Sequence, residues 1–310
     1  MSTRFLRYFF EPRTLAVIGA SEKTHSMGGL VIRNLIDSGF PGDIWAVNPK
    51  GYASVHDKPC VRRVHELPEV PDLAVVCSPV AGLPRLIEQL GRFGVRAAMV
   101  LSGGAHLDDR SGDGGSIRER MLASARRSGI RVLGPECLGM IVPGRHLNAT
   151  YASQPVKAGR VAYLGQSGML GNAMIDWAAG RGIGFSHLVT LGDSVDVMLA
   201  DLIDYINQYS PCQAMLLHLE RIHDAQHFMT ALRESSRNRL VLAIKSGRTP
   251  GSELSGVPST PGVANRDVIV DAALARAGVV RVDDSDELFD ALETLSRMKP
   301  LRGDRLAIVA

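Results

Sequence analysis

Two consecutive α/β domains, each a doubly wound and mainly parallel sheet, are what this sequence predicts, on three observations. Its 310 residues exceed the usual size of one domain. Short β-rich apolar runs alternate with segments of helical period, and Gly, Pro or Asn stands between them. The alternation pauses near Gly144 and restarts at Arg160-Val-Ala-Tyr-Leu-Gly165. Continuous apolar strands joined by helical crossovers form parallel sheets covered by helices on both faces.

The first domain, residues 1–145, takes strands at 15–21, 44–50, 73–79, 97–102 and 132–134, with helices over 28–38, 81–93 and 116–128. The second, residues 150–298, takes strands at 160–165, 186–191, 213–219, 239–245 and 279–282. Its helices are expected near 169–181, 195–208, 223–236, 264–277 and 285–297, with Asp193 and Asp196 read as helix caps. The stretch Gly247 to Gly262, rich in Gly, Ser and Pro, reads as a mobile loop. Residues 299–304 read as a linker and Arg305-Leu-Ala-Ile-Val-Ala310 as a strand without a crossover, so 299–310 are expected to open a third domain. At the start, Phe5, Leu6, Tyr8, Phe9 and Phe10 are interrupted by Arg4, Arg7, Glu11 and Arg13. That pattern is an amphipathic segment packed on the first domain rather than a signal peptide.

Composition narrows the function. Apolar residues make up 45% and charged residues 22%, and 35 basic against 32 acidic residues leave +3 spread along the chain. Such a balance argues against a nucleic-acid surface. No apolar stretch reaches the roughly 18–20 residues of a membrane span. The cysteines at 60, 77, 137 and 212 show no CxxC spacing and read as reduced thiols of a cytoplasmic protein, with no metal site expected. The oligomeric state stays open, a homo-oligomer included.

Gly19-Ala20-Ser21 ends the first strand and Met27-Gly28-Gly29 opens the next helix. A strand, a glycine-rich turn and a helix start present backbone N–H groups to a phosphate; a tight turn alone would also explain the glycines. The second strand ends Asn48-Pro49-Lys50, where an NAD-binding domain usually carries an acid for the ribose hydroxyls. A cation there suits a ribose bearing an extra phosphate, as in NADP or coenzyme A, although Lys50 also fits a plain surface lysine. Ser78-Pro79 would wall the same edge, and Ser102-Gly103 would let the backbone approach a ligand closely. In the second domain, Gln166-Ser167-Gly168 repeats the strand–turn–helix arrangement. Glu220 follows an apolar strand, where a carboxylate can orient an imidazole, and Lys245-Ser246-Gly247-Arg248 is a basic strand end.

Residues 11–21, Val47-Asn48-Pro49-Lys50 and Gly134-Pro135-Glu136-Cys137-Leu138-Gly139 resemble the NDP-forming acyl-CoA synthetases, a family that includes succinyl-CoA synthetase α chains and ADP-forming acetyl-CoA synthetases. The resemblance implies a Rossmann-like CoA-binding domain followed by a flavodoxin-like, succinyl-CoA synthetase-like domain, with coenzyme A or acetyl-CoA as ligand. It implies that Gly19, Ala20, Ser21, Gly28 and the following turn meet the CoA phosphates, with Lys50 near the adenosine. It makes Gln166, Ser167, Gly168 and Lys245 a phosphate site and Glu220 the partner of a phosphorylated histidine. Two departures stand out. Glu136 replaces the family's usual Asn. In Ser259-Thr260-Pro261-Gly262 the histidine position is Thr260, which has no ring nitrogen to accept a phosphoryl group. The other histidines, including His218, His223 and His227, read as ordinary surface or core residues.

Leu147-Asn148-Ala149-Thr150, residues 191–196 and residues 295–306 resemble bacterial two-domain protein lysine acetyltransferases. That resemblance implies a regulatory CoA-binding region with no catalytic residue of its own, and ATP-grasp-like and GNAT domains beyond Ala310. It is the leading expectation. An active synthetase subunit is the alternative, and an NAD(P)-binding redox sensor, disfavoured by the missing strand-two acid, is a third.

Overall fold

The computed structural model describes residues 3–108, 115–210, 212–247, 266–297 and 307. The expected loop from 248 to 262, with Thr260, and the expected linker and terminal strand apart from Ala307 lie outside the described residues.

The first sheet contains β1 (Thr14–Ile18), β2 (Asp43–Val47), β3 (Ser54–Val55), β4 (Lys58–Val61), β5 (Leu73–Val76), β6 (Ala97–Val100) and β7 (Arg131–Leu133). Their order is β3-β4-β2-β1-β5-β6-β7, parallel except for the short β3–β4 hairpin. Its helices are α1 (Arg7–Phe10), α2 (Met27–Asp37), α3 (Leu83–Phe93) and α4 (Ile117–Ser128). Burial on both faces explains the unbroken apolar runs. In β1, Leu15 and Val17 join the cluster that includes α2, while Ala16 and Ile18 join the cluster under α3 and α4.

The second sheet contains β8 (Gly139–Val142), β9 (Leu147–Thr150), β10 (Lys157–Gly165), β11 (Gly184–Thr190), β12 (Ala214–Leu219), β13 (Leu240–Lys245) and β14 (Val280–Val282). The order is β14-β13-β12-β10-β11-β8-β9. The helices are α5 (Gly168–Arg181), α6 (Leu199–Tyr209), α7 (Ala225–Asn238), α8 (Arg266–Arg276) and α9 (Ser285–Arg297). The expected division at 145–150 falls inside a hairpin of this second sheet. β8 pairs antiparallel with β11, and β9 with β8, so the second sheet begins at Gly139. Pro143-Gly144 reads in sequence as the end of a domain, but it is the turn of a hairpin that covers the β11 edge.

The two halves are locked together. Asn34 Nδ2 on α2 donates to the carbonyls of Thr150 (2.8 Å) and Ala152 (2.9 Å). The N-terminal segment packs on both halves, since the Phe10 ring stacks on Tyr205 of α6 at 4.2 Å. Asp193 and Asp196 do not cap α6. The amide of Met198 donates to Asp201 instead, at 3.0 Å. Asp193 pairs with Arg118 at 2.9 Å, and Asp196 accepts from Arg131 Nε (2.9 Å) and the Val132 amide (2.8 Å). Arg131 also reaches Asp201 at 3.0 Å, so one half-buried guanidinium on β7 holds two carboxylates of the other half. Burial pushes the Asp201 carboxyl up even with Arg131 beside it. Removing the cation strands both acids, so Arg131→Ala is expected to destabilise the fold by about 2–4 kcal/mol in urea titration.

Candidate functional site

In each sheet the strand order reverses beside one strand, at β1 in the first and β10 in the second. Ligands of doubly wound folds bind outside the carboxyl ends of the strands at such a point. Gly19-Ala20-Ser21 and Gly165-Gln166-Ser167 occupy these two points.

At the first, Gly19 has φ +87°, and a Cβ there would meet the Cys77 carbonyl oxygen at 2.9 Å. Gly28 lets α2 touch the turn, because its Cβ would lie 2.2 Å from the Gly19 oxygen. The start of α2 is thereby pressed against the strand end. Ser26 caps it by accepting from the Gly29 amide, and Ser21 Oγ accepts from the Lys23 amide (3.1 Å). Asn48 works within the fold: its Nδ2 donates to the Ala20 carbonyl (2.6 Å) and its Oδ1 accepts from the Lys50 amide (2.9 Å). The end of β2 is thus tied to the β1 turn. Ser78 and Ser102 sit on the same edge, Ser102 buried with its hydroxyl toward the Val76 carbonyl, while Pro79 and Gly103 are exposed. Glu136, at φ +63°, packs against Gly103.

A cleft of about 840 Å³ opens beside this turn, floored by Ile18, Val47, Val64 and Phe93 and edged by Pro49 and Ser78. Its walls carry Arg62, Arg63, Arg85 and Arg92. Lys50 is exposed nearby but does not line it. The sequence reading missed these arginines, although signals were present. Arg62-Arg63 directly follow a short strand. Arg85, Gln89 and Arg92 recur at i, i+4 and i+7, opposite the buried Leu83, Ile87 and Leu90.

At the second point Ser167 caps α5, its hydroxyl accepting from the Leu170 amide at 3.2 Å. This leaves the amides of Gly168 and Met169 at the open helix end. Gln166 spends its side chain on the neighbouring strand end. Its Oε1 accepts from the amides of Glu220 (2.6 Å) and Arg221 (2.9 Å), and its Nε2 donates to the Arg221 carbonyl (2.9 Å). Gln166 therefore positions Glu220. The Glu220 carboxyl is raised chiefly by desolvation, with Asp193 and Glu136 adding to the rise while Arg221 and Lys245 oppose it. Desolvation lowers the Lys245 ammonium, which donates to the Ser246 carbonyl.

Two buried side chains flank this site. His218 Nε2 lies 2.8 Å from Ser246 Oγ, and its Nδ1 has no partner among the described residues. Burial first, and Lys245 second, push it down to about 4. His227 pairs with Asp204 at 2.7 Å on the helical layer. Tyr163, fully buried on β10, aims its hydroxyl at Gly165 with no hydrogen-bond partner among the described residues. Among those residues there is no cluster of potential metal ligands, and no helix is long and apolar enough to cross a membrane.

Comparison with known proteins gives this geometry its class. Residues 13–143 match the family described as "CoA binding domain", and residues 158–295 match "Succinyl-CoA ligase like flavodoxin domain". The chain is a CoA-binding Rossmann-like domain followed by a succinyl-CoA ligase-like flavodoxin domain. It is similar to the acetate–CoA ligase [ADP-forming] I subunit alpha of Pyrococcus furiosus, with 31% identity over 98% of this chain and 66% of that protein. It is also similar to acetate–CoA ligase [ADP-forming] I of Archaeoglobus fulgidus, with 31% identity over 97% of this chain and 43% of that protein. A solved structure of the dinucleotide forming acetyl-coenzyme A synthetase 1 of Ca. Korarchaeum cryptofilum, in complex with phosphate and ADP, superposes with a TM-score of 0.85. Identity is 27%, covering 96% of this chain and 63% of that one. The chain thus spans between 43% and 66% of the length of these two curated relatives.

Two outcomes follow for the second site. An unpartnered buried hydroxyl costs stability, so Tyr163→Phe is expected to stabilise the ligand-free chain by about 1 kcal/mol in urea titration. For His218 the folded form stays neutral down to about 4, against an ordinary value of 6.5. Between those values the unfolded chain binds more protons, so stability falls as pH drops from 6.5 toward 4. The loss is on the order of 2–4 kcal/mol, and His218→Gln is expected to flatten that part of the pH–stability curve.

Proposed function

We propose that this chain is the CoA-binding part of an NDP-forming acyl-CoA synthetase, the counterpart of the α subunits it is similar to. The observation that carries this reading is the pair of phosphate-suited strand–turn–helix ends, one in each sheet, at the points where strand order reverses. In the first, Gly19, Ala20, Ser21 and Gly28 receive the CoA diphosphate at the start of α2, with Asn48, Pro49, Lys50, Ser78, Pro79, Ser102 and Gly103 around the adenosine and pantetheine. In the second, Ser167, Gly168 and Lys245 receive a phosphoryl group at the start of α5. Gln166 holds Glu220 toward it, so the carboxylate can orient a cationic donor. A nucleotide-binding, ATP-grasp-like partner supplies the phosphoryl group. The overall reaction consumes ATP, a carboxylic acid and CoA and yields acyl-CoA, ADP and phosphate.

Thr260 favours a second reading. A threonine where the resemblance places the phosphorylated histidine removes the nitrogen relay. CoA or acetyl-CoA binding then serves sensing, as the regulatory region of a protein lysine acetyltransferase. The similar proteins named above are ligases, which supports the synthetase reading over this one.

Calorimetric titration of the 310-residue chain with CoA is expected to show one saturable site with a Kd on the order of micromolar. Absence of heat at millimolar CoA, with the chain folded by circular dichroism, overturns CoA binding under both readings. Incubating the full-length protein with acetate, CoA and ATP then separates them: acetyl-CoA and ADP accumulate for a synthetase, while binding without turnover marks a sensor.

A further inference from the structure

The basic cleft beside the β1 turn has a chemistry of its own. In doubly wound folds, the residues at the end of the second strand read the adenosine ribose, acids for free hydroxyls and cations for a ribose phosphate. Here β4 runs parallel to β2, with Val47 opposite Val61, so Arg62 and Arg63 leave β4 beside the end of β2. The facing wall is α3, which turns Arg85 and Arg92 into the cleft while Leu83, Ile87 and Leu90 stay in the core. Arg92 is paired with Glu88 at 2.6 Å. Arg62, Arg63 and Arg85 have no carboxylate partner for their side chains among the described residues. Glu66, on the same segment, accepts from the backbone amides of Arg62 and Arg63, at 2.9 and 3.3 Å. Three uncommitted guanidinium groups around one cavity suit a dianionic phosphomonoester, which arginine grips in bidentate fashion. Ser78 and the apolar floor beside them suit an adenine face.

We infer that Arg62, Arg63 and Arg85 select an adenosine ribose that carries a phosphomonoester, and that they bind the 3′-phosphate of CoA. This rests on the CoA reading above and assigns the discrimination to the cleft rather than to Lys50. An NADP-type 2′-phosphate shares the chemistry, and ligand choice separates the two sources.

The test is calorimetric titration of the 310-residue chain, at fixed low ionic strength, with CoA, dephospho-CoA, 3′,5′-ADP and 2′,5′-ADP. CoA is expected to bind at least about tenfold more tightly than dephospho-CoA, and 3′,5′-ADP more tightly than 2′,5′-ADP. In the double variant Arg62→Gln/Arg63→Gln the CoA advantage is expected to fall to about twofold, with dephospho-CoA affinity unchanged. Arg85→Gln is expected to give a partial loss, and thermal melts of both variants match the parent because these side chains are exposed. Equal binding of CoA and dephospho-CoA overturns the inference and leaves the CoA reading standing. So does a preference for 2′,5′-ADP, or a CoA advantage that survives both variants. Failure of both coenzymes to bind removes the CoA reading, and the inference with it.

Discussion

Everything at the two candidate sites depends on how the end of β7 is tied to the segment after β11. The amides of Asp193, Val195 and Val197 donate to the carbonyls of Pro135, Gly134 and Val132, at 2.9, 3.2 and 3.0 Å. Arg131 and its two carboxylates close the same seam with charge. Backbone hydrogen bonds of this kind fix distance and register together, which side-chain packing alone does less strictly. The seam also brings Glu136, on the first half, into the electrostatic surroundings of Glu220, on the second.

The seam works because the cores are continuous. Phe9, Phe10, Val31, Ile32 and Leu35 from the first half lie in one buried cluster with Met140, Leu147, Val189, Ile203 and Leu217 from the second. α2 therefore has two duties. Its start presses on the Gly19 turn through Gly28, and its end carries Asn34 onto the β9 edge. A displacement of the β8–β9 hairpin would be passed along α2 to the Gly19 turn. Close-packed interiors transmit such strain rather than absorb it.

The two-domain α/β architecture was legible in sequence because strands buried on both faces leave unbroken apolar runs. Its α5, α7 and α9 helices fall within about two residues of expectation, the usual uncertainty of helix ends. What was illegible has a common cause. The β3–β4 edge hairpin contains Lys58 and Pro59, so no apolar run marks it, while the apolar run of β8 (Gly139–Val142) does not say which sheet it joins, and only the fold pairs it with β11. Asp193 and Asp196 look like helix caps because capping is a local pattern, whereas their partners Arg118 and Arg131 lie far off in sequence. The resemblance implies a phosphate contact for Gln166, and only the fold shows its side-chain amide bound to the strand end after β12. The arginine cleft was missed for the same reason: Arg62 and Arg85 meet across a cavity, not along the chain.

Charge is distributed unevenly along the carboxyl edge, and this orders the proposed ligand. The cleft end carries guanidinium groups in excess of Glu66 and Glu88, while the seam end gathers Glu136, Asp193 and Glu220. At the seam end Asp193 is paired with Arg118, and Arg221 and Lys245 stand near Glu220, so the uncommitted cations lie at the cleft end. On the proposed CoA reading, the phosphates go with the arginines and the start of α2, and the neutral pantetheine arm is the part that runs toward the seam. Glu136 sharpens this asymmetry, because a neutral Asn at that position would leave the seam with one negative charge fewer.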